Sequence, residues 1–310
     1  MSLKIVFMGS PEFAIPGLQQ LHESTHEVAA VVTGADKRRG RGKTPSPTPV
    51  KEKAMELGLP VIETEDLKSL DFNNKLKILQ PDLLVVVAFK VLPKALLKIP
   101  RIGSINLHAS LLPKYRGAAP IHRAVMHGES KTGCTVFFLD EKVDTGLIIA
   151  QQEISVGPDE TTGSVYKRLM MIGADLLVDS INKIDEESYT LRSQNEADTT
   201  VAPKIFVEDC LIDFNQPSDQ VHNFVRGLSP FPTARTYLDG KLFKVFASLP
   251  HPDRNVEPFE LKIEKERVLV GCNPGAVSLE IVQLEGKPKY SGVDFFRGYT
   301  RPGIIKSDIR

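Results

Sequence analysis

Apolar residues in the first half of the chain occur in short continuous runs separated by amphipathic segments. Residues 3–8 form the first run, which Gly9 and Pro11 close before an amphipathic stretch at 13–24. Helical patterns at 49–58 and 73–80 lie between later runs, which occupy residues 27–34, 59–63, 81–89 and 102–110. Near-continuous apolar strands that alternate with helices are typical of a parallel sheet covered on both faces. The pattern therefore predicts an α/β fold with a doubly wound, mostly parallel sheet.

The same pattern continues to residue 184 and then stops. Residues 132–140 and 146–156 have strand patterns, and residues 161–184 keep the apolar spacing of a long helix. The next stretch, 187–204, is polar and has no sustained apolar face, which indicates a linker. We therefore expect a first domain over residues 1–186 and a second over 205–310.

The second domain has a different pattern. One helical segment at 217–229 precedes several short strand patterns. Turn signals separate these strands at Asp239-Gly240, Asn273-Pro274-Gly275 and Glu285-Gly286. Short strands joined by such turns are typical of small β-barrels. The sequence thus predicts a small C-terminal barrel after the α/β domain.

Charge and cysteine content limit the classes of function. The chain has 39 Lys plus Arg and 39 Asp plus Glu, so a nucleic acid would have to be held by a local basic patch. Cys134, Cys210 and Cys272 are far apart and lack C-x-x-C spacing, which favours neither a disulfide framework nor a zinc site. No apolar stretch is long enough to span a bilayer, so we expect no membrane contact. We also expect a cytoplasmic monomer without a metal.

Two common nucleotide motifs are missing. The first strand ends in "MGSPEF", which has a single glycine where a dinucleotide site needs G-x-G-x-x-G. "GKT" at 42–44 resembles the end of a phosphate-binding loop, but Lys37 occupies the place of the required earlier glycine. A nicotinamide cofactor and a P-loop are therefore not expected.

Polar residues alternate along the strand at 102–110. Asn106, His108 and Ser110 would share one face, and the carboxyl end of a strand in an open α/β sheet is where ligands bind. This pattern alone fits a hydrogen-bonded histidine beside a turn equally well. Asp144 favours the functional interpretation, because it follows the strand at 133–140 and could orient His108 from a neighbouring loop, with Gly146 allowing a tight turn.

A basic segment lies between the second strand pattern and the next helix. Within residues 36–51 it carries a cluster of five cations, Lys37, Arg38, Arg39, Arg41 and Lys43, followed by alternate prolines. Such a loop can contact a phosphate backbone. A solvated loop without a ligand explains the same residues equally well.

The stretch "NLHASLLPKYRGAAPI", together with "MGSPEFA", "GRGK" and "DEKVDTG", resembles the folate-dependent formyltransferases. The resemblance covers essentially the whole chain, including the linker and the second domain. It implies a Rossmann-like formyltransferase domain followed by an OB-like tRNA-binding domain. The implied reaction transfers a formyl group from 10-formyltetrahydrofolate to the amino group of methionine esterified to initiator tRNA, for translation initiation.

The resemblance also implies roles for individual residues. Asn106, His108 and Asp144 match the catalytic trio. In that mechanism Asn106 and His108 donate hydrogen bonds to an oxyanion, while Asp144 keeps His108 in its donating state and accepts the amine proton. Further matches are a folate-binding loop, Ser110, Leu111, Leu112 and Pro113, and tRNA contacts, Arg41, Lys43 and Lys204. Lys114 and Arg116 are candidates to contact either folate or tRNA.

Other interpretations keep part of this chemistry. Related formyltransferases use an amino-sugar nucleotide as acceptor, and related hydrolase domains pass the formyl group to water. A catalytically silent tRNA- or folate-binding protein is a third alternative. The basic cluster favours the tRNA acceptor over a sugar nucleotide, and the intact trio argues against a protein that only binds.

Overall fold

The computed structural model describes residues 2–38, 45–299 and 305–306. They form two compact units, each assembled from several segments of the chain. The first unit takes its residues from Met1–Pro120, Gly133–Ile154 and Tyr166–Val201, and the second from Ile121–Thr132, Ser155–Val165 and Ala202–Arg310. Residues 187–201 of the predicted linker thus pack within the first unit. The predicted domain boundaries at 186 and 204 stay a hypothesis.

Strands and helices alternate through the first half of the chain, as the apolar runs predict. They are β1 (Lys4–Gly9), α1 (Ile15–Glu23), β2 (Glu27–Thr33), β3 (Lys37–Arg38), β4 (Pro45–Ser46), α2 (Pro49–Glu56), β5 (Val61–Glu63), α3 (Leu70–Leu79), β6 (Leu83–Val87) and α4 (Lys94–Leu97). Then follow β7 (Gly103–His108), β8 (Arg116–Gly117), α5 (Pro120–Met126), β9 (Lys131–Phe138), β10 (Ile148–Ser155), α6 (Thr162–Asp185) and β11 (Val201–Ala202).

Local signals explain where two of these helices begin. The Thr48 side chain accepts the backbone N–H of Lys51 at 3.0 Å, and Pro49 occupies the first turn of α2, where its missing N–H costs nothing. The Ser69 hydroxyl accepts the N–H of Phe72 at the start of α3 in the same way.

The central sheet has seven strands in the order β10-β9-β7-β6-β1-β2-β5. The five strands β7, β6, β1, β2 and β5 are parallel to one another. Strand β9 runs antiparallel to β7. Strand order therefore reverses between β1 and β6, which makes the sheet doubly wound. The prediction of a doubly wound, mostly parallel α/β fold is confirmed.

Helices cover both faces of this sheet. On one face Val6, Leu84 and Val86 pack against Phe72 and Leu76 of α3. On the other face α6 approaches closely, and a Cβ atom at Gly173 would lie 3.0 Å from Leu107 of β7. Burial on both faces explains why these strands are continuously apolar.

The second unit contains α7 (Ser218–Leu228) and an antiparallel sheet. Its strands are β12 (Ala234–Leu238), β13 (Lys241–His251), β14 (Leu261–Ile263), β15 (Val268–Gly271), β16 (Ala276–Leu284), β17 (Tyr290–Ser291) and β18 (Ile305–Lys306), with α8 (Gly292–Phe296) before the last. Asp239 and Gly240 both have positive φ, at 50° and 74°, as the predicted tight turn between β12 and β13 requires.

The strand order of this sheet is β14-β15-β16-β13-β12-β18, with β17 on β16. Among the strands that the structure describes, no pairing joins β14 to β18, so the sheet is antiparallel but is not seen to close into a barrel. Its core contains Phe214, Phe243 and Phe296.

The three cysteines are buried free thiols. Burial raises the pKa of the Cys134 and Cys272 thiols to about 12. Within residues 2–38, 45–299 and 305–306, no group of three or more His, Cys, Asp or Glu could hold a metal ion. None of the described helices is both long and apolar enough to cross a bilayer.

Candidate active site

Strand β7 presents two of the predicted site residues on one face. Leu107 lies against α6, beside Gly173. Because side chains alternate along a strand, Asn106 and His108 point to the opposite face. His108 is the last residue of β7, which runs parallel to β6. The predicted placement of these two residues at a carboxyl strand end is confirmed.

The ring of His108 is buried and fixed by a hydrogen bond. Its Nε2 lies 2.9 Å from the carbonyl oxygen of Tyr115, and because a carbonyl oxygen only accepts, Nε2 carries the proton. Nδ1 faces Asp144, with 3.8 Å between Nδ1 and Oδ2. In the neutral ring Nδ1 is an acceptor. Two acceptors thus face each other across a gap that is too long for a direct hydrogen bond.

Asp144 reaches His108 by a different route from the one predicted. Strand β9 is antiparallel to β7, with Ile105 paired to Phe138, so the carboxyl end of β9 lies beside the start of β7 and not beside its end. The Asp144 carboxylate is instead tied to the chain that follows β7, because its Oδ2 accepts the N–H of Gly117 at 2.8 Å. The two residues therefore follow strands that run in opposite directions, and Asp144 meets His108 through the chain after β7.

Position 146 requires glycine because no side chain fits there. Its φ is not positive, so a left-handed turn is not the reason for glycine here. A Cβ atom at this position would lie 1.7 Å from the carbonyl oxygen of Phe138. The backbone after Asp144 therefore passes too close to β9 for any other residue.

The side-chain amide of Asn106 lies on the same face of β7 as His108. Asn106 is half-buried and pairs in register with Phe137 of β9. Within the part of the chain that the structure describes, its side chain makes no hydrogen bond. The amide has two N–H donors and a carbonyl acceptor, which are available to a ligand.

The predicted folate loop is fastened by Thr135, which lies opposite His108 in the β7–β9 register. The Thr135 hydroxyl accepts the N–H of Leu112 at 3.1 Å and donates to the carbonyl oxygen of Ser110 at 2.7 Å. Gln151 Nε2 donates to the Thr135 hydroxyl and to the Leu112 carbonyl oxygen, both at 2.9 Å. The loop and the catalytic candidates therefore share one framework.

The side chains of this loop differ in accessibility. Ser110 is fully buried, and its hydroxyl donates to the carbonyl oxygen of Lys114 at 2.6 Å. Leu112 is buried and packs with Phe137 and Ile148. Leu111 and Pro113 are half-buried. The last two side chains are thus the ones that can touch a ligand directly.

Arg116, a candidate for contact with folate or tRNA, is buried and bonded within the protein. Its Nη1 and Nη2 donate to the carboxylate of Glu196 at 3.0 and 2.9 Å. Its Nε and Nη2 donate to Gln194 Oε1 at 3.1 and 2.8 Å. Hydrogen bonding to Arg116 lowers the pKa of Glu196. The guanidinium is therefore committed to these internal partners.

The predicted tRNA contacts are placed only in part. Arg41 and Lys43 lie outside the described residues. The strands that flank them pair antiparallel, Lys37 with Ser46 and Arg38 with Pro45. In the second unit, Lys204 is exposed, and its Nζ lies 5.2 Å from the ring centroid of Phe206.

Sequence reasoning did not single out Tyr115, Gly117, Thr135 or Gln194. Thr135 could have been found from its position in the apolar run at 132–140, where a threonine interrupts the aliphatic pattern. Gln194 lies in the polar segment that was predicted as a linker, and no local pattern marks it. Its importance is visible only from its contacts.

Known proteins are similar to this chain over most of its length. A formyl transferase family model matches residues 3–181, and a model of the formyl transferase C-terminal domain matches residues 204–300. A methionyl-tRNA formyltransferase from Chlorobium limicola is 42% identical over 306 residues, covering 96% of each chain. One from Geobacter metallireducens is 41% identical over 304 residues, covering 97% of this chain and 98% of the relative.

A solved structure shares the fold at much lower identity. The crystal structure of WlaRD, a sugar 3N-formyl transferase in the presence of dTDP and 5-N-formyl-THF, superposes with a TM-score of 0.67 at 17% identity. The match covers 93% of this chain and all of WlaRD, and it shows the fold alone. The family models and the curated relatives go further, because they match both halves of the sequence. Because the family models and the two relatives agree, the chain belongs to the formyl transferase family, in the group that contains these methionyl-tRNA formyltransferases.

Proposed function

We propose that the protein transfers the formyl group of 10-formyltetrahydrofolate to the amino group of methionine esterified to initiator tRNA. The observation that carries this proposal is the convergence of His108 and Asp144 on one gap, with the amide of Asn106 on the same face of β7. The methionyl-tRNA formyltransferases that are similar along the whole chain support the acceptor. The 5-N-formyl-THF named with WlaRD supports a folate donor.

Asn106 has the donor that the reaction needs. Attack of a neutral amine on the formyl carbon forms a C–N bond and moves an electron pair onto the formyl oxygen. An amide N–H aimed at that oxygen stabilises the new charge, and loss of such a donor typically costs about 10²- to 10³-fold in rate. The side-chain N–H groups of Asn106 are free for this role in the portion of the chain described.

His108 and Asp144 are arranged to receive the amine proton. The attacking nitrogen must lose a proton as it becomes an amide. Nδ1 of His108 and Oδ2 of Asp144 are acceptors 3.8 Å apart, so an N–H placed between them is attracted by both. Asp144 accepts the proton, which returns to the folate nitrogen when its bond to the formyl carbon breaks. Atoms and charge balance without a covalent enzyme intermediate.

We infer a narrower role for His108 than the family mechanism implies. Its Nε2 proton is already donated to the carbonyl oxygen of Tyr115. The ring can therefore donate to an oxyanion only from Nδ1, and only when a second proton resides there. We propose that His108 acts chiefly as the acceptor opposite Asp144 and that Asn106 carries the oxyanion.

The predicted folate loop fits a flat, largely apolar ligand that brings the formyl group. Leu111 and Pro113 are half-buried, so part of their apolar surface is accessible to a ligand. Leu112 packs on Phe137, the strand partner of Asn106, so the loop adjoins the residue proposed to hold the formyl oxygen. We propose that Ser110, Leu111, Leu112 and Pro113 form the folate-binding loop, with Ser110 shaping it from within.

We assign tRNA binding to Arg41, Lys43 and Lys204. Two of these lie in a basic cluster, and cations that neutralise phosphates supply most of the affinity for a nucleic acid. Lys204 is exposed beside an aromatic ring, a pairing suited to an unpaired nucleotide.

The proposed function also bears on location and assembly. Use of initiator tRNA implies a cytoplasmic location. Nothing in this mechanism requires a second subunit, so we expect a monomer.

One assay tests this function against its alternatives. The protein is incubated with 10-formyltetrahydrofolate and, separately, methionyl-initiator tRNA, uncharged initiator tRNA, an amino-sugar nucleotide or buffer. We expect tetrahydrofolate release only with the methionyl-tRNA, because only this sample presents the required amine. Equal release with buffer would indicate a hydrolase, and release with the sugar nucleotide alone a different acceptor. Either result would contradict the proposal.

A further inference from the structure

Gln194 joins the two sides of the candidate site through one amide group. Its Nε2 donates to the carbonyl oxygens of Asp144 and Gly146 at 3.0 and 2.9 Å. Its Oε1 accepts from Nε and Nη2 of Arg116 at 3.1 and 2.8 Å. Both N–H hydrogens and the carbonyl oxygen are thus used within the protein. A carboxylate or a thioether of the same length cannot make both sets of bonds.

On one side this amide fixes the backbone from which the Asp144 carboxylate projects. Asp144 has a left-handed backbone conformation, with φ at 57°, which non-glycine residues adopt infrequently. The two carbonyl groups that Gln194 binds flank Thr145. The two hydrogen bonds therefore span the turn, and we call them the Gln194 clamp. The carboxylate itself is anchored by the N–H of Gly117, which donates to Oδ2 at 2.8 Å. Holding the turn therefore controls where Oδ2 lies.

On the other side the same segment holds the backbone that orients His108. Arg116 follows Tyr115, whose carbonyl oxygen binds Nε2 of His108. The carbonyl oxygen of Thr200 accepts the N–H of Arg116, and the Thr200 hydroxyl accepts the N–H of Tyr115, both at 2.9 Å. Residues 194–200 thus contact the supports of both acceptors.

We propose that Gln194 is a positioning residue for formyl transfer, which sets the distance between Nδ1 of His108 and Oδ2 of Asp144. This inference rests on the proposed function. A misplacement of about 1 Å in a reacting group can cost about 10²-fold in rate. Loss of the clamp therefore lowers kcat. The folate loop is fastened by Thr135 and Gln151 instead, so KM for folate changes little.

Two substitutions separate the bonds of this amide. Gln194→Glu keeps an acceptor for Arg116 but turns carboxylate oxygen toward two carbonyl oxygens, while Gln194→Met removes every hydrogen bond at similar length. We expect both to lower kcat by about 10- to 100-fold. The control is Gln152→Glu, because Gln152 is exposed and its Nε2 donates to the adjacent Glu153 carbonyl. If the glutamate variant fails to fold, as judged by circular dichroism, the methionine variant decides.

A double-mutant cycle distinguishes positioning from a general loss of structure. If Gln194 acts through Asp144, Gln194→Met adds little further loss of single-turnover rate in the Asp144→Asn background. A fully additive loss would overturn the proposal, because it would show that Gln194 acts independently of the carboxylate.

A spectroscopic measurement tests the inference without any formyl transfer. The ring nitrogen signals of nitrogen-labelled histidine report which nitrogen carries the proton, and His108→Ala assigns the His108 signals. We expect Gln194→Met to shift them and Gln152→Glu to leave them in place. If methionyl-tRNA is not formylated but the shift occurs, the proposed function fails and the positioning role stands. An active protein in which Gln194→Met changes neither kcat nor these signals overturns the inference.

Discussion

The hydroxyl of Thr135 donates a hydrogen bond of 2.7 Å to the carbonyl oxygen of Ser110. Thr135 lies on β9 directly opposite His108, and Ser110 begins the predicted folate loop. One side chain therefore links the strand beside the catalytic candidates to the loop that follows them. Changes at Thr135 should act on the loop first and on the chemistry second.

Thr135→Val should weaken folate binding more than it slows the chemical step. The substitution keeps the shape but leaves the Leu112 N–H, the Ser110 carbonyl and a Gln151 N–H without this partner. Such losses cost about 1–3 kcal/mol. We expect a higher KM for folate and a lower free energy of unfolding. Thr132→Val on the same strand is the control, and equal effects of the two would contradict this account.

Substitution of the proposed trio should remove turnover and spare folate binding. We expect Asn106→Ala to lower kcat by about 10²- to 10³-fold, because an oxyanion donor is lost. His108→Ala and Asp144→Asn should also lose turnover, since the first removes an acceptor from the gap and the second removes the base that takes the amine proton. Tetrahydrofolate release gives the rate, and calorimetry gives folate affinity. His22→Ala, on the exposed side of α1, serves as control. Unchanged turnover in any trio variant would remove that residue from the mechanism.

Gly146→Ala should be costly although the change is a single methyl group. The new Cβ would overlap the carbonyl oxygen of Phe138, so the backbone after Asp144 must shift. Overpacking of this kind costs about 1–3 kcal/mol of unfolding free energy, and we expect kcat to fall as well. Gly157→Ala is the matched control, because its nearest contact would be an ordinary 3.5 Å. Similar melting temperatures for the two variants would contradict the prediction.

The basic cluster should control tRNA use and its salt dependence. Arg41→Ala and Lys43→Ala should each raise KM for methionyl-tRNA and reduce the slope of log affinity against log salt by about 1, because one phosphate contact is lost. Lys204→Ala should raise KM for the tRNA without changing folate affinity. Lys68→Ala removes an exposed cation elsewhere and should have no effect. A slope that is unchanged by all three test variants would refute the assignment.

Asp82 should contribute stability at neutral pH that disappears in acid. Burial would raise the pKa of this carboxyl, but hydrogen bonds from the Lys4 N–H and from Arg101 hold it below its usual value. A carboxyl group whose pKa is depressed in the folded state stabilises the fold at pH values above its unfolded pKa. This contribution is lost as the pH falls through the folded pKa.

Asp82→Asn should therefore lower the free energy of unfolding at pH 7 by about 1 kcal/mol, a modest figure because the site is partly solvent-exposed. The difference from the wild type should shrink below about pH 4. Urea unfolding across this range provides the measurement. Asp71→Asn, in an exposed helical ion pair, should show almost no effect. A gap between wild type and Asp82→Asn that persists in acid would contradict the linkage.

The sequence by itself determined the architecture and one face of the site. Continuous apolar runs specify strands buried on both sides, which is why the parallel sheet follows from them. Alternation along β7 places Asn106 and His108 together, because the period of a strand is two. The Asp239-Gly240 pair specifies the turn between β12 and β13, since both residues adopt positive φ. Each of these features depends only on local geometry.

Only the tertiary structure decided how the site is held together. The antiparallel course of β9 reverses the expected approach of Asp144, and the carboxylate reaches the site through Gly117, 27 residues away in sequence. Arg116 is bonded to Glu196, which lies 80 residues further along. Gln194 lies in a polar segment that resembles a linker. Hydrogen bonds between such distant segments depend on strand register and loop path, and no local periodicity encodes either.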